Sequence, residues 1–347
     1  ITSVPEIRVR VFKGSSVQLK GSLQVQAGSQ TFQSGYVQIT LQGGRLYVSG
    51  YPVVSQEITI KPLQGYIYIQ KSGKWRGYRG YMKAMVYKGN LIVVNYLNIE
   101  EYLYSVVTSE SYAGWPLEAL KAQATAARTY ALYQSLHRKN WPFDVVDDEG
   151  DQAYKGIGAE DERGITAVSA TTGMVLTWQS RPILAMYTAS TGWYVDDPKY
   201  IFGTGYPYLQ LKRDPYSERE KMGRWQKEIS VYKLEQGLRA RGLGVYGIYD
   251  LVPSEQSPSG RIIKIRILHQ KGQRVVRTYT TIRKVAQLPD ILMTIRRQGN
   301  KFVFYGGGYG HGVGYSQWGG KEMAEQGFSF EQILGFYYPG ATLQKLW

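Results

Sequence analysis

Residues 95 to 136 read NYLNIEEYLYSVVTSESYAGWPLEALKAQATAARTYALYQSL, and this stretch narrows the folds open to the chain more than any other. Apolar residues at Ile99, Leu103, Val106 and Val107 recur at spacings of three and four, which keeps one face of a helix buried. After a turn through Gly114, Trp115 and Pro116, a second helix is expected from Leu117 to about His137. Its alanines at 119, 122, 124, 126, 127 and 131 let a neighbouring element approach the backbone closely. The expected unit is a helical hairpin. Extending the apolar face of its first helix by one turn reaches Glu110 at the bend. Turning a carboxylate inward disfavours its charged form. The alternative is a helix-end ion pair with Lys121 or Arg128, which share a stripe of the second helix with Thr125.

Around this hairpin the chain reads as strands. IRVRVF from Ile7, VQITL from Val37, ITI from Ile58 and YIYI from Tyr66 alternate, with Gly and Ser turns between them. YRGYMKAMVYKGNLIVVNYL at 78 to 97 adds two strands joined at Lys88-Gly89-Asn90. Beyond the hairpin lie an acidic loop (142 to 156), a short helix (160 to 169), a strand at Met174 to Thr177 and a buried strand at Pro182 to Met186 feeding the polar loop Tyr187 to Trp193. Val231 to Arg241 reads as a helix, and SGRIIKIRIL and RVVRTYTTI as a hairpin. Ser329 and Gln332 form a capping-box pattern ahead of a last helix, which Pro339-Gly340 ends. The expected fold class is α+β, in four parts: a β-rich scaffold (1–95), the hairpin with the Tyr/Ser loop (96–222), a basic helix-plus-hairpin subdomain (223–300), and a glycine-rich segment with closing helices (301–347).

The chain carries 42 basic and 27 acidic residues, net +15, which favours encounter with polyanions. The cations are scattered and no nucleic-acid motif accompanies them, so an anionic cell wall is preferred to nucleic acid or a membrane surface. Without cysteine there is no disulfide, thiolate metal site or cysteine nucleophile. No apolar run approaches bilayer length, and the sequence opens in a strand-like stretch. An exported protein would then need a targeting or anchor segment absent from this chain.

Several familiar chemistries fail on spacing. The acidic loop lacks the EF-hand pattern. Gly314-Tyr315-Ser316-Gln317-Trp318 lacks the closing glycine of a nucleophile elbow, and three scattered histidines cannot form H-E-x-x-H. The glycine-rich segment contains neither a dinucleotide fingerprint nor a P-loop. No cofactor and no metal is expected. What remains is chemistry built on the single carboxylate of Glu110.

Longer motifs point the same way. E-E-Y-L at 100 to 103, V-V-x-x-E at 106 to 110, E-A-L-K-A-Q-A at 118 to 124, A-A-R-T-Y-A-L at 126 to 132, Gln152-x-Tyr154-x-Gly156 and G-H-G-V-G-Y-S-Q at 310 to 317 together resemble the SpoIID/LytB family of bacterial cell-wall proteins. Ala189, Trp193 and Tyr315 stand where the family pattern has other residues, and Trp193 could offer a face to a sugar. The zinc held by Cys and His in some relatives lacks its ligands here.

The resemblance implies a lytic transglycosylase acting on peptidoglycan glycan strands, preferably stripped of stem peptides, outside the cytoplasm and beside a cell-wall amidase. It places Glu110 at the catalytic acid. Lys121, eleven residues later as in relatives, would bind or orient the glycan. Gln123, Arg128, Tyr187, Ser190, Thr191, His311, Ser316 and Gln317 are candidate sugar contacts, with a structural role equally open for Arg128 and Ser316. The competing reading from the same resemblance is a non-catalytic, wall-binding enhancer of an amidase.

Overall fold

The alternating stretches at the N-terminus do form strands, and they join into one ten-stranded sheet. Its order is Val145–Val146, Glu6–Gly14, Asn90–Asn98, Tyr81–Tyr87, Glu57–Lys71, Ser16–Ala27, Gln30–Gln42, Arg45–Val48 and Tyr51–Pro52, with Lys74–Tyr78 also paired to Glu57–Lys71. Every pairing is antiparallel except Val145–Val146, which runs parallel to Glu6–Gly14. Alternation decides the sheet's share of the core: Ile7, Val9, Leu19, Val25, Ile39, Ile58, Ile60, Ile67 and Val93 are all sealed from solvent. The computed structural model describes residues 3–347, and the fold is α+β.

The chain divides into two compact units, one running to Leu184 and completed by Thr342–Trp347, the other spanning Ala185–Ala341. The boundary falls inside the expected 96–222 part, so the hairpin and the Tyr/Ser loop belong to different units. In the first unit the hairpin is α1 (Ile99–Glu110) and α2 (Leu117–His137), followed by α3 (Glu162–Ala170). Asn98 caps α1 by accepting from the Glu101 amide (2.8 Å), and all six alanines of α2 are buried. Strand Thr342–Lys345 pairs antiparallel with Met174–Trp178.

In the second unit, Trp225–Ser230, Lys301–Gly307 and Leu292–Gln298 form one three-stranded sheet, and Asp250–Gln256, Ile262–His269 and Gly272–Arg277 another. They enclose a core that includes Leu234, Leu238, Ile265, Ile267, Phe302 and Phe304. The helices are α4 (Val231–Ala240), α5 (Arg283–Ala286), α6 (Gln317–Glu325) and α7 (Phe330–Tyr337), with further single turns at Pro198–Ile201 and Pro215–Glu218. The capping box is present: Ser329 Oγ accepts from the Gln332 amide (3.2 Å), and Gln332 Oε1 from the Ser329 amide (2.9 Å).

Two expected strands differ. Of the Pro182 to Met186 stretch only Pro182 pairs, in the two-residue strand Arg181–Pro182; Ile183 and Ala185 are buried in irregular chain. The strand of RVVRTYTTI stops at Arg277, and Thr278–Ile282 winds as a π-helix leading into α5, because Thr278 and Ile282 turn inward together. Among the described residues no helix is long and apolar enough to cross a membrane.

Candidate functional site

Glu110 is the last residue of α1, where the chain turns out through Ser111 to Pro116. That position leaves it partly exposed rather than sealed. Its Oε1 accepts a 2.6 Å hydrogen bond from the Ala153 amide. Three residues around that amide, Asp151, Gln152 and Tyr154, are each tied to the first unit's core. Asp151 accepts from Tyr130 (2.6 Å) and Arg138 (2.8 Å). Gln152, fully buried, accepts from the Tyr102 hydroxyl (2.7 Å) and donates to the Ala127 carbonyl (3.1 Å). Tyr154 donates to Asn95 Oδ1 (2.6 Å), whose Nδ2 in turn donates to the Arg79 and Tyr81 carbonyls (2.8 and 3.2 Å). The Q-x-Y motif is thus a brace whose middle amide is presented to Glu110.

The bend itself is held from both sides. Ser111 Oγ donates to Oε1 of Gln123, which is buried (3.2 Å), and Arg163 donates to the carbonyls of Ala113 and Trp115 (both 2.7 Å). Lys121 is partly exposed and pairs with Glu118 (2.9 Å). Arg128 has no exposed surface. It grips Glu100 through Nε (3.0 Å to Oε1) and Nη2 (2.9 Å to Oε2), and donates to the Met174 and Val168 carbonyls (3.1 and 3.3 Å) and Thr171 Oγ1 (3.2 Å). Burial pulls its pKa below the ordinary value, and Glu100 opposes that pull.

In the second unit, the Tyr/Ser loop and the glycine-rich segment come together. Tyr187 pairs with Tyr315 and Thr188 with Ser316 as parallel strands. Ser190, Thr191 and Ser316 are fully buried and Gln317 nearly so. Ser190 Oγ accepts from the Gly192 amide (3.1 Å), turning the loop. Thr191 Oγ1 donates to Asp214 Oδ2 (2.5 Å), as do Ser217 Oγ (2.6 Å) and Tyr337 Oη (2.8 Å), while Ser217 and Ser316 share a 2.6 Å bond. Ser316 also caps α6, accepting from the Gly319 amide (3.3 Å).

A second buried group centres on Arg261, from the SGRIIKIRIL stretch of the basic subdomain. It has no exposed surface. Asp290 (3.1 Å) and Asp196 (3.3 Å) flank its guanidinium, which also donates to the Tyr194 and Thr191 carbonyls (2.8 and 2.9 Å). Burial lowers its pKa, but Asp290 and Asp196 more than reverse this.

Glycines at alternate positions let the 308 to 314 segment thread between these groups. Gly308, Gly310, Gly312 and Gly314 hold φ of 89°, 114°, 80° and 76°, and a Cβ on them would overlap Asp290, Thr188, Arg261 and the Met186 carbonyl respectively. His311 lies between them, partly buried, and its Nδ1 accepts from the Val313 amide (3.0 Å). Burial drives its pKa down to about 4, the Tyr187 backbone bond opposes, and Arg261 adds to the lowering. At neutral pH it is an uncharged hydrogen-bonding group. Phe202 (54% exposed) meets it edge-on at 5.6 Å, and nearby in sequence Tyr309 is 51% exposed, so aromatic surface is open beside it. Trp193 packs its ring against Gly307 and has Arg224 over it at 4.9 Å, so a cation already covers the face proposed for a sugar. Of the acidic groups, Glu220, Glu322 and Glu325 lie close enough for a cation, with the Lys321 ammonium already 3.2 Å from Glu220 and 2.5 Å from Glu325.

Asp214, Asp196 and Asp290 were missed in the sequence. Asp214 and Asp197 each precede a proline, the N-cap and N1 signature of a helix start, which would have marked Asp214 but not its serine partners. A sequence profile of the stage II sporulation protein family matches residues 87–178, and one of a domain of unknown function matches 206–314. The chain is 32% identical over 267 residues to an uncharacterised protein of Brachyspira hyodysenteriae, covering 77% of this chain and 72% of that protein. It is 30% identical over 271 residues to stage II sporulation protein D of Bacillus subtilis, covering 73% of this chain and 76% of the relative. The chain belongs to the SpoIID/LytB family. A further SpoIID/LytB relative, the amidase enhancer of Bacillus subtilis, is 27% identical over 291 residues, and there the match covers 70% of this chain but only 40% of the relative. The SpoIID profile covers α1, the bend, α2 and the brace, the parts assembled around Glu110.

Proposed function

We propose that this protein acts on the bacterial cell wall, outside the cytoplasm, as a lytic transglycosylase that cuts the MurNAc–GlcNAc bond of glycan strands, preferably strands stripped of stem peptides. Most glycosidases need two carboxylates. One suffices when the substrate's own MurNAc C6 hydroxyl attacks. Glu110 gives its proton to the departing glycosidic oxygen, and as carboxylate takes the C6 hydroxyl proton while the 1,6-anhydro ring closes. The reading is carried by one observation: Glu110 ends α1 with solvent access and a braced backbone amide on Oε1. The helix C-terminus opposes negative charge there and the Ala153 N–H favours it. Opposed influences of this kind suit a group that must both release and recover a proton.

Their burial supports a shape-holding role for Gln123, Arg128, Ser190, Thr191 and Ser316. Lys121 on the first unit, and Tyr187 and His311 on the second, keep surface with which to meet sugar hydroxyls and N-acetyl groups, while Gln317 is largely enclosed. The test is incubation with peptide-free glycan strands followed by mass analysis. Anhydro-MurNAc ends should appear and fall by at least about 10²-fold in Glu110→Gln, the scale of a lost general acid. The likeness to an amidase enhancer supports a second reading, a wall-bound stimulator of an amidase. Under that reading the strands stay intact, and only an added amidase is accelerated.

A further inference from the structure

The positive charge of this chain is not spread evenly. Residues 224 to 301 hold 16 basic and 5 acidic residues, so they carry +11 of the chain's +15. Arg261 with Asp290 is buried among them and offers nothing to a partner. The rest of the excess lies on the two small sheets, α4 and α5. There, a cleft of about 700 Å³ opens among Glu228, Ser230, Lys233, Arg241, Gln287 and Lys301, a size typical of ligand pockets. Lys301 is neutralised by Glu228 at 2.9 Å. Lys233 and Arg241 are exposed and, among the described residues, have no carboxylate within 4.0 Å. Outside the cleft's lining but on the same subdomain, exposed Tyr246 has Arg239 at 4.8 Å and Lys271 at 5.1 Å from its ring centroid.

We infer that the 224 to 301 subdomain is a glycan-binding module whose cleft takes a strand bearing a free carboxylate on each disaccharide. This rests on the cell-wall reading above, because removing the stem peptide from MurNAc leaves the lactyl carboxylate bare and turns a glycan into a regular polyanion. Two unpaired cations in a cleft suit a chain that enters it, whereas a lipid surface cannot. An aromatic ring flanked by cations on the same subdomain suits a polymer that is sugar and anion at once. The module holds a strand at a second point, raising its effective concentration for the rest of the protein.

The measurement is fluorescence anisotropy of peptide-free strands with the full chain carrying Glu110→Gln, so that the strand is not consumed. Adding Lys233→Ala, Arg241→Ala and Lys301→Ala should weaken binding about tenfold at low salt and flatten its salt dependence. Lys233→Glu with Arg241→Glu should weaken it further, and neutral GlcNAc oligomers should show no difference between the variants. Thermal melts of each variant separate lost binding from lost fold. Strand binding that ignores both sets of changes overturns the inference, as does equal, equally salt-sensitive retention on anionic vesicles or DNA. Binding that behaves as expected in a protein whose unmutated form makes no anhydro ends sinks only the transglycosylase.

Discussion

Arg128→Met tests whether a residue inside the family's hairpin motif acts on glycan or on the fold. Removing the guanidinium takes two nitrogens from Glu100 and leaves the carbonyls of Val168 and Met174 without that donor. Glu100 is 8% exposed and keeps the Gly173 amide (2.9 Å) and Trp347 Nε1 (3.3 Å), too little for a full negative charge. Breaking one side of such a buried pair costs about 3–5 kcal/mol. At about 2–4 °C per kcal/mol for a unit of this size, the melting temperature should drop by about 6–20 °C. Circular dichroism melts read this directly. Adding Glu100→Gln removes the stranded charge and should return part of the loss. A single variant within about 2 °C of the parent, or a double variant no more stable than the single, refutes the structural assignment. Unchanged stability with lost strand binding would return Arg128 to the glycan contacts.

Two further outcomes follow from the second unit. His311 is neutral when folded until about pH 4, whereas the unfolded imidazole takes a proton near 6.5. The unfolded state therefore binds more protons between those values, and stability present above pH 6.5 is lost as pH falls towards 4, by up to about 3 kcal/mol. Urea midpoints across that range should fall, and His311→Gln should flatten the fall; a parallel profile for the variant would contradict it. Gly312→Ala puts an L side chain at φ 80° against the buried Arg261 guanidinium, so we expect a loss of at least about 3 kcal/mol in chemical denaturation, strain and overlap together. A near-neutral Gly312→Ala would mean that the segment shifts freely.

What the sequence made legible was local. The apolar spacing of α1, the alanines of α2, the capping box at Ser329 and the strand alternation all depend on neighbours within a few positions, and each appears in the fold. What it hid was the identity of distant partners. Arg261 stands just ahead of an alternating basic strand, and nothing nearby distinguishes it from Lys264 or Arg266; only Asp196 and Asp290, far off in sequence, decide that it turns inward. Asp151 looked like one of several loop acids until Tyr130 and Arg138 met it. The glycines of 308 to 314 signalled close approach without saying to what. Thr278–Ile282 was lost for the opposite reason, since its β-branched residues favour strands and tertiary burial overruled them.

The pairing of Thr342–Lys345 with Met174–Trp178 has a bearing on how the protein is made. During synthesis everything from Ala185 to Ala341 leaves the ribosome before the segment that completes the earlier unit. Until then Met174–Trp178 presents an unfilled edge, open to wrong partners. The order of assembly is therefore nested: the unit bearing Glu110 gains its last strand only after the whole of the later unit has been made.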